Sequence, residues 1–140
     1  VVYLFDENRE YLIQKSSHGP KNPEESLVLN PIKIKNGEGI VGGVASSGVA
    51  EIIPDTSLDE RYIIDDEVRF SEITVPIIHN DEVLGIIDSE HPDKDFFSRK
   101  DLELLKTVAS ITATKIVQTE FYLDLQTLSP NFLVSVHPLI

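Results

Sequence analysis

No cysteine occurs among the 140 residues. That excludes disulfides, zinc–thiolate sites, iron–sulfur clusters, thiol nucleophiles and thioether-linked cofactors within the chain. It is compatible with a reducing compartment, and a cytoplasmic setting is expected. Positive charge is scarce as well: 12 Lys and Arg stand against 24 Asp and Glu, a formal net charge of -12. Phosphate backbones are held by clustered Lys and Arg, so nucleic acid is not an expected partner. An anionic membrane surface is disfavoured for the same reason. No stretch approaches the ~18 consecutive apolar residues of a membrane span. The apolar start, Val1-Val2-Tyr3-Leu4-Phe5, lacks the basic flank and the length of a signal peptide. It opens inside a strand pattern without Met, so the chain is expected to be a piece of a longer protein.

What is present suffices for one packed domain. Hydrophobic residues make up 41% and charged ones 26%, in the range of globular chains. Residues 1–6 and the stretch from Tyr11 read as a hairpin around Glu7-Asn8. Ser16 to Glu25, with Gly19, Pro20 and Pro23, reads as a loop, and Leu27 to Ile34 as a further short extended segment. Ile40, Val44 and Ser47 share a helical face, and Gly48 supplies a C-terminal stop. Ala50 to Ile53 is a short strand ended by Pro54. Asp55 to Asp66 is polar, with Leu58, Tyr62, Ile63 and Ile64 as expected anchors of a helical turn. Ser71–Ile78 and Val83–Glu90 form the clearest hairpin, with Asn80-Asp81 suited to the positive φ angles of a tight turn. Pro76 removes a ladder donor and predicts a sheet edge or bulge there. The longest helix starts near Ser98, with Asp101 completing a capping-box-like pair. Leu102, Leu105, Ala109, Ala113 and Ile116 line one face; Leu104, Val108 and Ile111 line its neighbour. The helical signal decays beyond Thr119. Hairpins, rather than strand–helix–strand alternation, imply an antiparallel sheet with helices packed on it.

Several chemical readings fail on context. Gly37-Glu38-Gly39-Ile40-Val41-Gly42 spells G-x-G-x-x-G, but a dinucleotide fingerprint needs a full helix inside a parallel unit. Close backbone packing at these glycines is expected instead. His18, His79, His91 and His137 fall in no metal-ligand spacing. Asp65-Asp66-Glu67 lacks the spaced ligands and glycine of a calcium loop, so a solvated acidic turn is expected. No metal or cofactor is predicted. No Ser–His–acid constellation is visible, and Ser46-Ser47 lacks a nucleophile elbow.

Five stretches, in order and at matching spacing, resemble a GAF domain. They are the glycine-rich Gly37–Gly48, Pro54-Asp55-Thr56-Ser57-Leu58-Asp59-Glu60-Arg61-Tyr62, Ser71-Glu72-Ile73-Thr74-Val75-Pro76-Ile77-Ile78, Val83–Glu90 and Phe97–Leu105. The resemblance covers residues 1–119, without the helix that usually precedes the first strand. Residues 120–140 are left as an extension or linker. It implies an α+β fold: a central antiparallel sheet of about five or six strands, terminal helices on one face, and a loop-covered pocket on the other. It also implies a regulatory module beside an output domain such as a histidine kinase, dimerising through terminal helices. One branch of the family reduces free methionine sulfoxide with cysteines, and bilins attach through cysteine; neither has its sulfur here. The cyclic-nucleotide motif is incomplete, since Asn-Lys is missing and the strand ends Asp88-Ser89-Glu90.

The expected function is therefore non-catalytic sensing of a small molecule, with a ligand-free homodimerisation module as the alternative. Expected ligand-binding residues are Ser71, Thr74 and Asp88 on the strands, and Tyr62, Asp66 and Phe70 in the covering loop. A pocket needs mostly apolar walls and a few convergent polar groups.

Overall fold

A computed structural model describes residues 1–18, 28 and 30–127 of the chain. Among them are six strands and two α-helices: β1 (Val2–Phe5), β2 (Tyr11–Ser16), β3 (Lys33–Lys35), α1 (Gly39–Ser47), β4 (Glu51–Ile53), β5 (Ser71–His79), β6 (Glu82–His91) and α2 (Arg99–Gln126). The strands form one sheet in the order β3-β2-β1-β6-β5-β4, and every neighbouring pair is antiparallel. This is the α+β arrangement expected.

Period-two alternation divides the sheet's residues between two faces. Ile73, Val75, Ile77 and Ile87 pack with Leu102, Ala109 and Ala113 of α2. Tyr3, Leu12, Ile34 and Ile86 pack with Val41, Val44 and Ala45 of α1 on the opposite face. The small residues of α2 let its axis lie close to the strands. Ser98 and Asp101 form the reciprocal capping box, satisfying donors that the first turn would otherwise leave unpaired. Gly48 ends α1 at φ 71, a left-handed conformation that costs glycine little. Asn80 and Asp81 both take positive φ, 47 and 63, as a tight hairpin turn requires. Pro76 lies past the end of β4, which pairs only with residues 72–74, so its missing donor faces no ladder.

Three expectations need correction. Helix α2 continues past Thr119 to Gln126, because no Gly or Pro interrupts residues 99–129. Of the expected anchors of the 55–66 segment, Leu58 and Ile64 are exposed, whereas Tyr62 bonds Glu90 and Ile63 lies over Gly39. The segment is pinned by polar bonds, among them Thr56 N–H to Phe70 C=O at 3.0 Å and Thr56 Oγ1 to Arg69 C=O at 2.6 Å. Among the described residues of the expected extended segment Leu27–Ile34, Lys33 and Ile34 lie in β3, which runs on to Lys35. The loop at 19–25, Leu27, and the extension at 128–140 lie outside the described residues. Among the described residues, no helix is long and apolar enough to cross a membrane.

Candidate functional site

The site is a consequence of strand register. In β5 and β6, Glu72 stands opposite Glu90 and Thr74 opposite Asp88. Opposed residues of an antiparallel pair have Cβ atoms about 5 Å apart, and residues two apart share a face. Glu72, Thr74, Asp88 and Glu90 therefore make a four-cornered polar patch on the face that carries α1. One oxygen from each of the three acids lies within 4.8 Å of the others. Tyr3 of β1 joins them beside Ile86.

Glu72, Thr74 and Asp88 are buried, at 4%, 0% and 3% exposure, and buried charge is costly unless partnered. Thr74 donates to Asp88 at 2.5 Å. The Glu72 and Asp88 carboxyl groups lie close enough to perturb each other's ionisation. Oε2 of Glu72 is buried with no partner. Tyr62 donates to Glu90 at 2.7 Å. The arginines nearby are engaged elsewhere, Arg61 with Glu51 and Asp59, and Arg69 with Asp66 and Glu67. Burial consequently pushes Glu72 up to about 11 and Glu90 up to about 7. It raises Asp88 too, against the lowering effect of its Thr74 bond. At neutral pH the cluster holds protons in place of counter-ions.

Residues 59–70 roof this patch. Ile63 and Asp65 of the roof line the recess with Tyr3, Ile32, Ile34, Ile40, Val41 and the three acids. Gln14 of β2 ties the roof down, donating to Asp65 at 2.5 Å and to the Tyr3 hydroxyl at 3.2 Å. A methyl group at Gly39 would meet Ile63 Cδ1 at 2.6 Å, so the bare backbone lets the roof sit low over α1. With the roof down, about 10 Å³ remains for the centre of a water-sized body, room for about one such body.

The residues expected to bind ligand are dispersed by the structure. Thr74 and Asp88 lie in the patch, and Tyr62 reaches it through Glu90. Asp66 pairs with Arg69, Phe70 lies under the Lys94 ammonium, and Ser71 donates to the Asp93 carbonyl at 2.7 Å. None of these three lines the recess. Missing from the expectation were Glu72, Glu90, Asp65 and Tyr3.

A family model for the GAF domain matches residues 1–116. The chain belongs to the GAF family. Its relatives fall on both sides of the enzyme boundary. The chain is 35% identical over 96 residues to "Free methionine-R-sulfoxide reductase" of Saccharomyces cerevisiae, covering 63% of this chain and 53% of that one. It is 26% identical over 120 residues to "Nif-specific regulatory protein" of Enterobacter agglomerans, covering 79% of this chain and 23% of that one. Among solved structures, the reduced form of fRMsr from Staphylococcus aureus aligns at a TM-score of 0.62 and 27% identity, over 81% of this chain and 67% of that one. The chain thus spans about half the yeast relative and under a quarter of the regulator. The expectation that this chain is not an enzyme is overturned by the likeness to these reductases. The chain holds no cysteine, and the recess is lined by three carboxyl groups of the sheet.

Proposed function

We propose that this GAF domain binds a small molecule bearing an ammonium group over the Glu72–Asp88–Glu90 patch, with free methionine-R-sulfoxide as the first ligand to examine. The single observation that carries the reading is the buried acidic patch with its unpartnered Glu72 oxygen. An ammonium group supplies the charge and the donors that the patch lacks. The roofed volume is too small for a whole amino acid, so residues 59–70 must lift to admit one. Their tethers are polar, among them Tyr62 to Glu90, Gln14 to Asp65, Arg61 to Glu51, Phe70 N–H to the His91 carbonyl, and Thr56 to the backbone of residues 69 and 70.

Two uses follow from one binding event. Glu90, pushed up to about 7, is matched to neutral pH as a proton donor to a ligand oxygen. Reduction of a sulfoxide to a sulfide and water consumes two protons and two electrons, and the electrons would come from a thiol pair outside these 140 residues, which becomes a disulfide. In a regulatory setting, ligand on the α1 face bears on β5 and β6, whose opposite face carries α2. Likeness to the reductase supports the first use and likeness to the regulator the second.

Calorimetry with free amino acids and both methionine sulfoxide epimers, in the presence of a chelator, tests the binding. Saturable binding is expected for ligands with a free ammonium, and its loss on N-acetylation or in Glu90→Gln. Equal heats for free and acetylated ligands would exclude the reading.

A second reading is homodimerisation through α2. It rests on Leu104, Val108 and Ile111, which form a stripe one turn apart and are exposed at 63%, 40% and 58%.

A further inference from the structure

The roofed recess and the charges around it point to an occupant smaller than an amino acid. We propose that Glu72, Asp88 and Glu90 form a binding site for one hard divalent cation of the magnesium, manganese or calcium class. This rests on the reading that the patch takes cationic ligands, and it names the occupant of the closed form.

Three observations converge. First, the donor set is all carboxylate oxygen, which selects hard cations over soft ones. Second, the three oxygens lie within 4.8 Å of one another. An ion bound at about 2.0–2.6 Å holds neighbouring ligand oxygens about 3–4 Å apart and opposite ones about 4–5 Å apart, so the three acids can close on one ion by a small inward shift. Third, Glu72 is 4% exposed, lines the recess, and leaves Oε2 without a partner. Native proteins rarely strand a buried carboxyl oxygen, and a metal ion supplies the missing partner. The space under the roof matches one ion rather than a larger molecule.

The linear spacing of the acids hid this site. Its ligands come from two strands, and the Asp65-Asp66-Glu67 run contributes only Asp65 to the recess lining.

The surroundings set the pH behaviour. Facing the cluster are Tyr3 of β1, the Val1 nitrogen, which donates to the Asp88 backbone carbonyl at 2.9 Å, Tyr62 and Asp65 of the roof, Asp59, whose charge acts on Glu72, and Arg69 and Asp66, whose charges act on Glu90. On β5 and β6 the remaining polar neighbour is Thr74. Carboxyl groups must lose their protons to bind a metal. A cation therefore competes with protons for these three carboxyl groups.

The test is titration of the chain with Mn²⁺ alone, followed by electron paramagnetic resonance of the free ion and by thermal shift. A net charge of -12 attracts divalent ions anywhere on the surface, so a control is needed. Glu103→Gln removes an exposed α2 carboxylate and should leave tight binding unchanged. Wild type should bind one Mn²⁺ tightly, with affinity rising about tenfold per pH unit for each proton displaced. Glu72→Gln and Glu90→Gln should each weaken it at least tenfold; two neutral isosteres guard against one failing to fold. Equal Mn²⁺ binding by wild type and both variants overturns the metal site. Amino-acid binding in chelator with no tight Mn²⁺ binding would sink the metal site and spare the ammonium reading. Tight Mn²⁺ binding with no amino-acid binding would do the reverse.

Discussion

Glu72→Gln should stabilise this domain at neutral pH, although it alters a buried side chain of the site. In the folded state burial holds Glu72 protonated up to about 11, whereas its ordinary value is 4.5. Between those values the unfolded chain has lost the proton and the folded one keeps it. Stability rises with pH only where the unfolded state binds more protons, and here it binds fewer. The contribution is fully present below about pH 4.5 and is lost as pH rises toward the folded value. Each retained proton lowers stability by about 1.4 kcal/mol per pH unit. From pH 5 to pH 7 Glu72 alone removes about 3 kcal/mol, a large part of the ~5–15 kcal/mol typical of a domain. Glu90, pushed up to about 7, steepens the fall over the same interval. Asp55, Asp59 and Asp66 lie below the ordinary carboxylate range because of bonds to Ser57, Arg61 and Arg69 respectively, and they act only in acid. Glutamine keeps the shape and cannot ionise. The assay is urea unfolding in chelator at pH 5, 6 and 7. Wild type should lose midpoint steadily with pH, and Glu72→Gln should show a slope smaller by one proton. A wild-type midpoint that is flat or rises across this window would refute the buried-proton account.

Thr74→Val removes the hydroxyl that bonds Asp88 at 2.5 Å; leaving a buried acceptor short costs about 1–3 kcal/mol, measured by urea unfolding. Gly85→Ala places a methyl 2.1 Å from the Tyr3 carbonyl oxygen; overpacking against backbone in the sheet centre should cost about 3 kcal/mol or more, and an unchanged Tm would contradict the observed β1–β6 approach. If α2 pairs with a second copy, sedimentation should find a dimer in wild type and a monomer in Val108→Asp. With Val108 at 40% exposure, the variant's monomer stability should change by less than about 0.5 kcal/mol.

The α+β architecture was legible because its signals are local. Alternation in 71–78 and 83–90, the positive-φ pair Asn80-Asp81, Gly48 after a two-turn helix and the Ser98–Asp101 cap are each decided by residues a few positions apart. The site was not legible in that way. Counting outward from the Asn80-Asp81 turn pairs residue 78 with 83, and continuing unbroken would set Glu72 against Ser89. A bulge between Ile77 and Ile78 shifts the ladder by one, so Glu72 meets Glu90. The unopposed residue is Leu84 of β6, and it decides which acids share a face; Pro76 and Gly85 beside it signal an irregularity but not the register that results. Thr74 and Asp88 could be anticipated as strand polar groups. Asp65 and Asp66, adjacent in the chain, could not be told apart: one lines the recess and the other pairs with Arg69. Chain-local chemistry set the elements of this GAF domain. Only the long-range register, and the burial it imposes, gathered three acids into one site and fixed their protonation.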